Sequence, residues 1–389
     1  NLARTNFISK SYLSKIKNLK HEIDNELLFQ ISNSLDLEYY YDTDLISKNL
    51  ELLENFYISL VFHNPRVTEE ILQIIKKREN IYLNSSLIFK YILYKYVWLS
   101  INGTSNEETN NIEKFIETEF IATGYLDSHE LQIYYDAKGC IRLNSENFDD
   151  AILYYNKALS FGIHKYSYSI TCYHLGKTLC LINNLFDAMY YDNIALEYFT
   201  KEYNIVRQLF TQVHMANIYG KSKQFIKAEN IYKEILLRRE NNSTDDIFCT
   251  TIKTNLSWLY ISQKRYNDAI KIINEKTKDE LIPIDYFHLA LCYYEIKDFI
   301  AMENTIDSAK HNISNVNNIM KRLELLTYVV NEDNNSIVEK IENEYIKERL
   351  SSDTEEKVFY LNLMIHYCEK ESKYKKALGY LKELYNLQN

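Results

Sequence analysis

"YYDAKGCIRLNSENFDDAILYYNKAL", residues 134–159, and "TCYHLGKTLCLINNLFDAMYYDNIAL", residues 171–196, are two copies of one pattern. A small residue stands inside the first apolar stretch. A bulky apolar residue follows a short polar turn, and an alanine comes three positions after it. The frame recurs in "QVHMANIYGKSKQFIKAENIYKEIL" (212–236) and "KTNLSWLYISQKRYNDAIKII" (253–273). Weaker copies occupy 286–309 and 360–384. Apolar residues at helical period on both sides of each turn predict a helical hairpin per copy.

The turn aromatics are Phe148, Phe225, Tyr266, Phe299 and Tyr374, with Leu185 in the second copy. The residues three positions on are Ala151, Ala188, Ala228, Ala269, Met302 and Ala377. Positions 151, 188, 228 and 269 are separated by 37, 40 and 41 residues, and the step to 302 is 33. These copies resemble tetratricopeptide repeats, helical hairpins of about 34 residues. Gly139, Gly176 and Ala216 are expected to let paired helices approach closely, with the turn aromatic filling the space beside the turn. Hairpins of this kind bury their apolar faces only by stacking on one another. Residues 45–130, including "VTEEILQIIKKRENI" (67–81), read as amphipathic helices leading into the same stack.

Composition agrees. The 389 residues contain two prolines and seven glycines, too few for a turn-rich β architecture. The six cysteines form no C-x-x-C pair and sit in apolar helical patterns, which reads as buried free thiols in a reducing compartment. The most apolar run, "YILYKYVWLSI" (91–101), is too short to span a bilayer and contains Lys95. No signal-peptide pattern opens the chain, which starts at Asn1 without methionine, so further residues upstream are expected. Phosphate-cradling, dinucleotide, metalloprotease and nucleophile-elbow motifs are all missing, so the sequence offers no sign of an enzyme and calls for no cofactor.

The net charge of −9 argues against nucleic-acid binding by the body as a whole, but it is unevenly placed. Residues 1–21 carry Arg4, Lys10, Lys15, Lys17 and Lys20 and no acid, whereas 22–42 carry six acids and no Lys or Arg. The apolar positions Leu2, Ala3, Ile8, Leu13, Ile16, Leu28, Ile31 and Leu35 imply three short helices. Ser9 can cap the middle one, spanning about 9–18. With Leu13 and Ile16 inward, Lys10, Ser11, Ser14, Lys15, Lys17 and Asn18 face out. The residues alone also fit an ordinary solvated helix with a basic face.

The order "LA…IS-x-x-YLSKI-x-N…LL-x-x-IS-x-x-L" resembles the helix-turn-helix of Cro/C1-type (XRE) repressors. That resemblance implies that residues 9–18 form the recognition helix, with the start of the motif upstream of Asn1. Lys17 and Leu19 depart from the acidic residue and glycine common in that family. On this reading Lys10, Ser11, Ser14 and Lys15 meet base edges of a double-stranded DNA operator, while Ser9, Asn18 and Lys20 meet phosphate.

A helix-turn-helix head followed by such repeats is similar to the RRNPP family of peptide-pheromone regulators (Rgg, Rap, NprR, PlcR and PrgX). The fold expected is therefore all-α: a partial XRE-type helix-turn-helix over 1–42, then a right-handed tetratricopeptide superhelix over 43–389 for peptide binding and dimerisation. The resemblance implies a cytoplasmic, homodimeric transcription regulator governed by a short signalling peptide. Members of the family control sporulation, virulence, competence or conjugation. The alternative is a repeat scaffold that sequesters a regulatory protein without binding DNA.

Aligning the repeats places His174, His214, Asn255 and His288 at one position of the first helix, Lys177, Asn217 and Trp258 at a second, and Tyr173, Thr254 and Phe287 at a third. The first helix builds the binding surface in tetratricopeptide repeats, so these ten are the candidate peptide contacts. Asparagine grips peptide backbone with its donor and acceptor, Lys177 suits a terminal carboxylate, and Trp258 and Phe287 suit apolar side chains. The histidines fit equally well as bonds between neighbouring helices. A metal shared along the histidine row is not expected, because successive first helices lie about 8–10 Å apart and zinc needs ligands at about 2 Å.

Overall fold

In a computed structural model, residues 25–103, 106–240, 246–313, 317–330, 337–343 and 354–388 are described. Among them the structure is all-α, and its one β-type pairing is an isolated bridge between Tyr40 and Ser85. The helices, in chain order, are α1 (Asn25–Asn33), α2 (Thr43–Val61), α3 (Pro65–Lys77), α4 (Glu79–Leu83), α5 (Ile88–Asn102), α6 (Glu107–Phe115), α7 (Ser128–Asn144) and α8 (Phe148–Leu159). They continue with α9 (Ser167–Leu181), α10 (Leu185–Lys201), α11 (Ile205–Lys221), α12 (Phe225–Glu240), α13 (Asp246–Ser262) and α14 (Tyr266–Asn274). The last six are α15 (Pro283–Glu295), α16 (Phe299–Asn312), α17 (Asn317–Val330), α18 (Ile337–Ile341), α19 (Thr354–Lys370) and α20 (Tyr374–Gln388). The described residues form two compact units, divided between Met215 and Ala216.

Every repeat recognised in the sequence is a helical hairpin, and one local device closes all of them. Two residues before the second helix stands a residue with positive φ: Glu146 (57°), Asn183 (64°), Lys223 (60°), Lys264 (60°), Lys297 (63°) and Ser372 (59°). The next residue donates its N–H five positions back, as Asn147 does to Arg142 and Asp298 to Tyr293, over 2.7–2.9 Å in all six turns. This left-handed C-terminal cap satisfies carbonyls that the helix end leaves without partners. Where that donor is Asn147, Asn184 or Asp298, its side chain also accepts from the N–H three residues on and starts the second helix. One residue therefore ends one helix and begins the next.

The turn aromatics are the first residues of the second helices. The expectation that they fill space beside the turn does not hold throughout: Phe299 is 40% and Tyr374 67% exposed. The position that seals each hairpin is the small residue three further on. Ala151, Ala188, Ala228, Ala269 and Met302 are 0% exposed, and Ala377 is 6%. That position faces the first helix one turn in, so a small side chain there sets the close approach.

Gly139 and Gly176 act as expected. A Cβ on Gly139 would lie 2.5 Å from the Tyr155 ring, and one on Gly176 would lie 2.5 Å from Asp192 Oδ1 and 3.2 Å from the Ala188 carbonyl oxygen. The unequal repeat spacing also has a visible cause. The step of 33 residues into α16 is short because α14 has 9 residues and α15 has 13, against 16 and 17 for α12 and α13.

In the first unit one continuous apolar core runs from Leu53 and Phe56 through Tyr94, Tyr96 and Tyr134 to Ala195 and Phe199. The lead-in helices α2 and α5 thus share their interior with the first two clear repeats. In the second unit a core around Tyr360, Leu361, Met364 and Cys368 joins α17, α18, α19 and α20. The pair α17–α18 is a further two-helix element that the sequence pattern did not announce. No helix among the described residues is long and apolar enough to cross a membrane.

Candidate functional site

The candidate DNA contacts, Ser9, Lys10, Ser11, Ser14, Lys15, Asn18 and Lys20, lie outside the described residues. The ten candidate peptide contacts all lie on α9, α11, α13 and α15, each the first helix of a hairpin.

In the first unit, Tyr173, His174 and His214 come together around Arg207. The Tyr173 ring meets the His214 ring edge-on at 6.2 Å, with the Arg207 guanidinium 5.7 Å from its centre. Arg207 is buried and donates through Nε to the Val61 carbonyl at 2.6 Å and through Nη2 to the Leu60 carbonyl at 3.2 Å. It thereby caps the C-terminal end of α2. His214 Nδ1 lies 2.5 Å from Asp192 Oδ2 of α10. Burial opposes charge on this imidazole, but the carboxylate outweighs it and raises the pKa to about 9. Lys177, in contrast, is exposed.

His174 Nδ1 lies 3.1 Å from Asp136 Oδ1 and 3.3 Å from Cys140 Sγ, both on α7. Burial disfavours its charged form, yet the facing Cys140 and Asp136 raise its pKa to about 10. Cysteine, histidine and aspartate in one cluster suggest a nucleophilic triad, but the geometry is wrong for one. Such a triad needs the base to face its nucleophile with one ring nitrogen and its carboxylate with the other, and here both partners address Nδ1.

In the second unit, Trp258 is half-buried and stacks on His288 at 5.1 Å and 24°. His288 is buried and shares a hydrogen bond of 2.8 Å with Ser257 of α13. Burial, with Lys276 and Arg322 nearby, lowers its pKa to about 3, so it stays neutral. Phe287 is fully buried beneath the Arg322 guanidinium. Thr254 is buried, donates to Asp285 at 2.8 Å and accepts from Lys276 at 2.6 Å. Asn217 is half-buried and accepts from the Tyr232 hydroxyl. Asn255 is half-buried as well.

The row therefore divides. Lys177, Tyr173, Asn217, Asn255 and Trp258 keep accessible surface. His214, Thr254, Phe287 and His288 are buried and bonded or packed within their unit, and His174 is largely covered. The sequence reading missed the groups that hold this row: Asp136, Asp192, Arg207, Lys276 and Asp285. For the four on helices the one available signal was a charged residue on an otherwise apolar stripe; Lys276 lies in the bend after α14 and gave none.

Stacked hairpins with a polar row along their first helices define a helical-repeat protein of tetratricopeptide type. Among solved structures with this fold, a Rap protein complexed with competence and sporulation factor matches with a TM-score of 0.68 and 15% identity, covering 88% of this chain and 98% of that one. The apo form of the quorum sensor NprR from B. thuringiensis gives 0.66 and 17%, covering 89% and 100%. NprR in complex with its cognate peptide NprX gives 0.65 and 18%, covering 87% and 98%. The chain thus has Rap, NprR and related peptide-responsive proteins as structural neighbours, and at this identity the likeness is one of fold. No protein-family model and no curated protein sequence matches it.

Proposed function

We propose that the chain is a peptide-responsive quorum-sensing regulator that takes a short signalling peptide on the first-helix row. The observation that supports this reading is a shared fold, over 87–88% of this chain, with a Rap protein bound to competence and sporulation factor and with NprR bound to NprX. The accessible row residues offer what a short peptide needs. In the second unit Asn217 and Asn255 supply backbone donors and acceptors and Trp258 aromatic surface; in the first, Lys177 supplies a cation for a carboxylate and Tyr173 aromatic surface. The buried histidines serve as supports for this row.

We further propose that residues 1–42 form the DNA-binding head and 43–389 the peptide-binding and dimerising body of a cytoplasmic transcription regulator without catalytic activity. The basic, acid-free stretch 1–21 supports the head. Peptide changes DNA affinity only through unequal binding to two arrangements of the dimer. Titration calorimetry with a candidate signalling peptide tests the body: wild type gives heat, and Asn217→Ala with Trp258→Ala loses it. Heat unchanged in that variant overturns the site. For the head, Lys10→Ala with Lys15→Ala weakens a shift of the chain's own promoter several-fold at fixed salt. Unchanged affinity removes the head.

A second reading has one observation in its favour. Aspartyl phosphate phosphatase F from Bacillus subtilis shares the fold, with a TM-score of 0.54 and 14% identity. On that reading the body engages a regulatory protein instead of DNA. It predicts a stoichiometric protein complex and no promoter shift at any salt.

A further inference from the structure

We propose that Asp136, Cys140 and His174 form a binding site for one divalent transition-metal ion of the zinc class, tying α7 to α9. Their ligand atoms, one carboxylate oxygen, one sulfur and one ring nitrogen, all lie within 4.8 Å of one another. His174 Nδ1 is 3.1 Å from the nearer Asp136 oxygen and 3.3 Å from Cys140 Sγ. Bonds of about 2.0–2.3 Å to a tetrahedral ion place ligands about 3.3–3.8 Å apart, so the two His174 contacts open by a few tenths of an ångström while the Asp136–Cys140 pair, within 4.8 Å, closes to the same range. Asp136 and Cys140 stand one helical turn apart on one face of α7, and His174 faces them from the neighbouring first helix. The row of histidines from successive repeats plays no part: His214 pairs with Asp192 and His288 with Ser257.

The surroundings suit an ion with one open position. The same three residues line a cavity of about 20 Å³ together with Tyr57, Ser100 and Arg207. That volume takes one water, the fourth ligand of a four-coordinate site. The Tyr155 hydroxyl is 3.5 Å from Cys140 Sγ and can donate to a thiolate there. Mixed nitrogen, sulfur and oxygen donors favour zinc, cobalt or nickel over calcium or magnesium.

The buried Arg207 is an opposing charge, and the ligand set answers it. Binding forms metal–sulfur, metal–nitrogen and metal–oxygen bonds. It releases the Cys140 thiol proton, with any proton on His174 Nδ1, to solvent. The Cys140 thiolate and the Asp136 carboxylate balance the two charges of the ion, so the loaded site is net neutral beside Arg207.

Cobalt(II) titration of the chelator-treated full chain, under reducing and anaerobic conditions, tests the site. One equivalent is expected to give thiolate-to-cobalt charge-transfer absorption together with intense tetrahedral d–d bands, and zinc displaces both. Cys140→Ser abolishes the charge-transfer band, while Asp136→Asn and His174→Gln each lower cobalt affinity at least tenfold. Cys172→Ser and Cys180→Ser leave the spectrum intact. No thiolate band in the wild type overturns the proposal, and that outcome does not depend on any variant folding. A band that survives in Cys140→Ser overturns it equally. The readout is spectroscopic and independent of whether the chain binds peptide or DNA.

Discussion

Lys276 Nζ lies 2.7 Å from Asp285 Oδ2, and neither side chain has any exposed surface. The pair is satisfied on both sides. Lys276 also donates to Thr254, and Asp285 also accepts from Thr254 and from the backbone N–H of Ile282 at 2.9 Å. A buried pair is costly to break from one side, because the partner left behind keeps its charge without compensation. Lys276→Met is expected to destabilise the protein by about 3–5 kcal/mol in denaturant unfolding. Adding Asp285→Leu should recover a large part of that loss. A double variant no better than the single one would show that Lys276 matters for packing and not for charge.

The His214–Asp192 pair predicts a pH dependence. The folded pKa of His214 is raised to about 9 from an ordinary value of 6.5, with Asp192 and Cys180 facing it. A raised pKa means that the folded state holds the proton more tightly. The stabilisation is therefore complete below about pH 6.5 and is lost as pH rises through about 9. The shift corresponds to about 3 kcal/mol. Unfolding free energies of wild type and His214→Gln, compared between pH 6 and pH 10, should converge at the alkaline end. A constant gap would mean that the pair carries no charge.

Two glycines predict opposite signs. Gly139→Ala drives a methyl to 2.5 Å from the fully buried Tyr155 ring. Overpacking of that kind costs about 1–3 kcal/mol. Gly379 lies inside α20, with no atom within 4 Å of the Cβ it would gain. Gly379→Ala should add about 0.5–1 kcal/mol through helix propensity. Thermal unfolding of the two variants reads both signs at once.

The hairpin turns offer a stabilisation. Lys223, Lys264 and Lys297 occupy left-handed backbone conformations that cost a side-chain-bearing residue about 1 kcal/mol relative to glycine. Glycine at each should raise the unfolding free energy by a few tenths to about 1 kcal/mol, discounted by the added freedom of the unfolded chain. A loss of stability at all three would show that the lysine side chains contribute more than the backbone strain removes.

The hairpins were legible because the alanine three positions into each second helix answers to one geometric demand, which repeats whenever the hairpin does. Ala151, Ala188, Ala228 and Ala269 advertise it, and Met302 keeps the position with a larger side chain that is equally buried. The α17–α18 pair lacked the small residue, since Lys340 stands three positions after the opening Ile337, and its second helix has five residues, too few for a periodic signal. Charged partners were illegible for another reason. Asp192 and His214 are 22 positions apart, and Asp136 and His174 are 38 apart, so only the stacking of repeats brings them together. The candidate row was correctly placed on first helices, but burial separates its members, and alignment of repeats carries no information on which side chain a neighbour covers.

Within all six hairpins recognised in the sequence, the connector is three residues long: 145–147, 182–184, 222–224, 263–265, 296–298 and 371–373. These joints have no slack. One inserted residue would advance the second helix by about 100° and swing its sealing alanine away from the first helix. Changes of repeat length in this architecture are therefore confined to the helices themselves and to the links between successive hairpins. Insertion scanning should find tolerance there and intolerance at the tight joints.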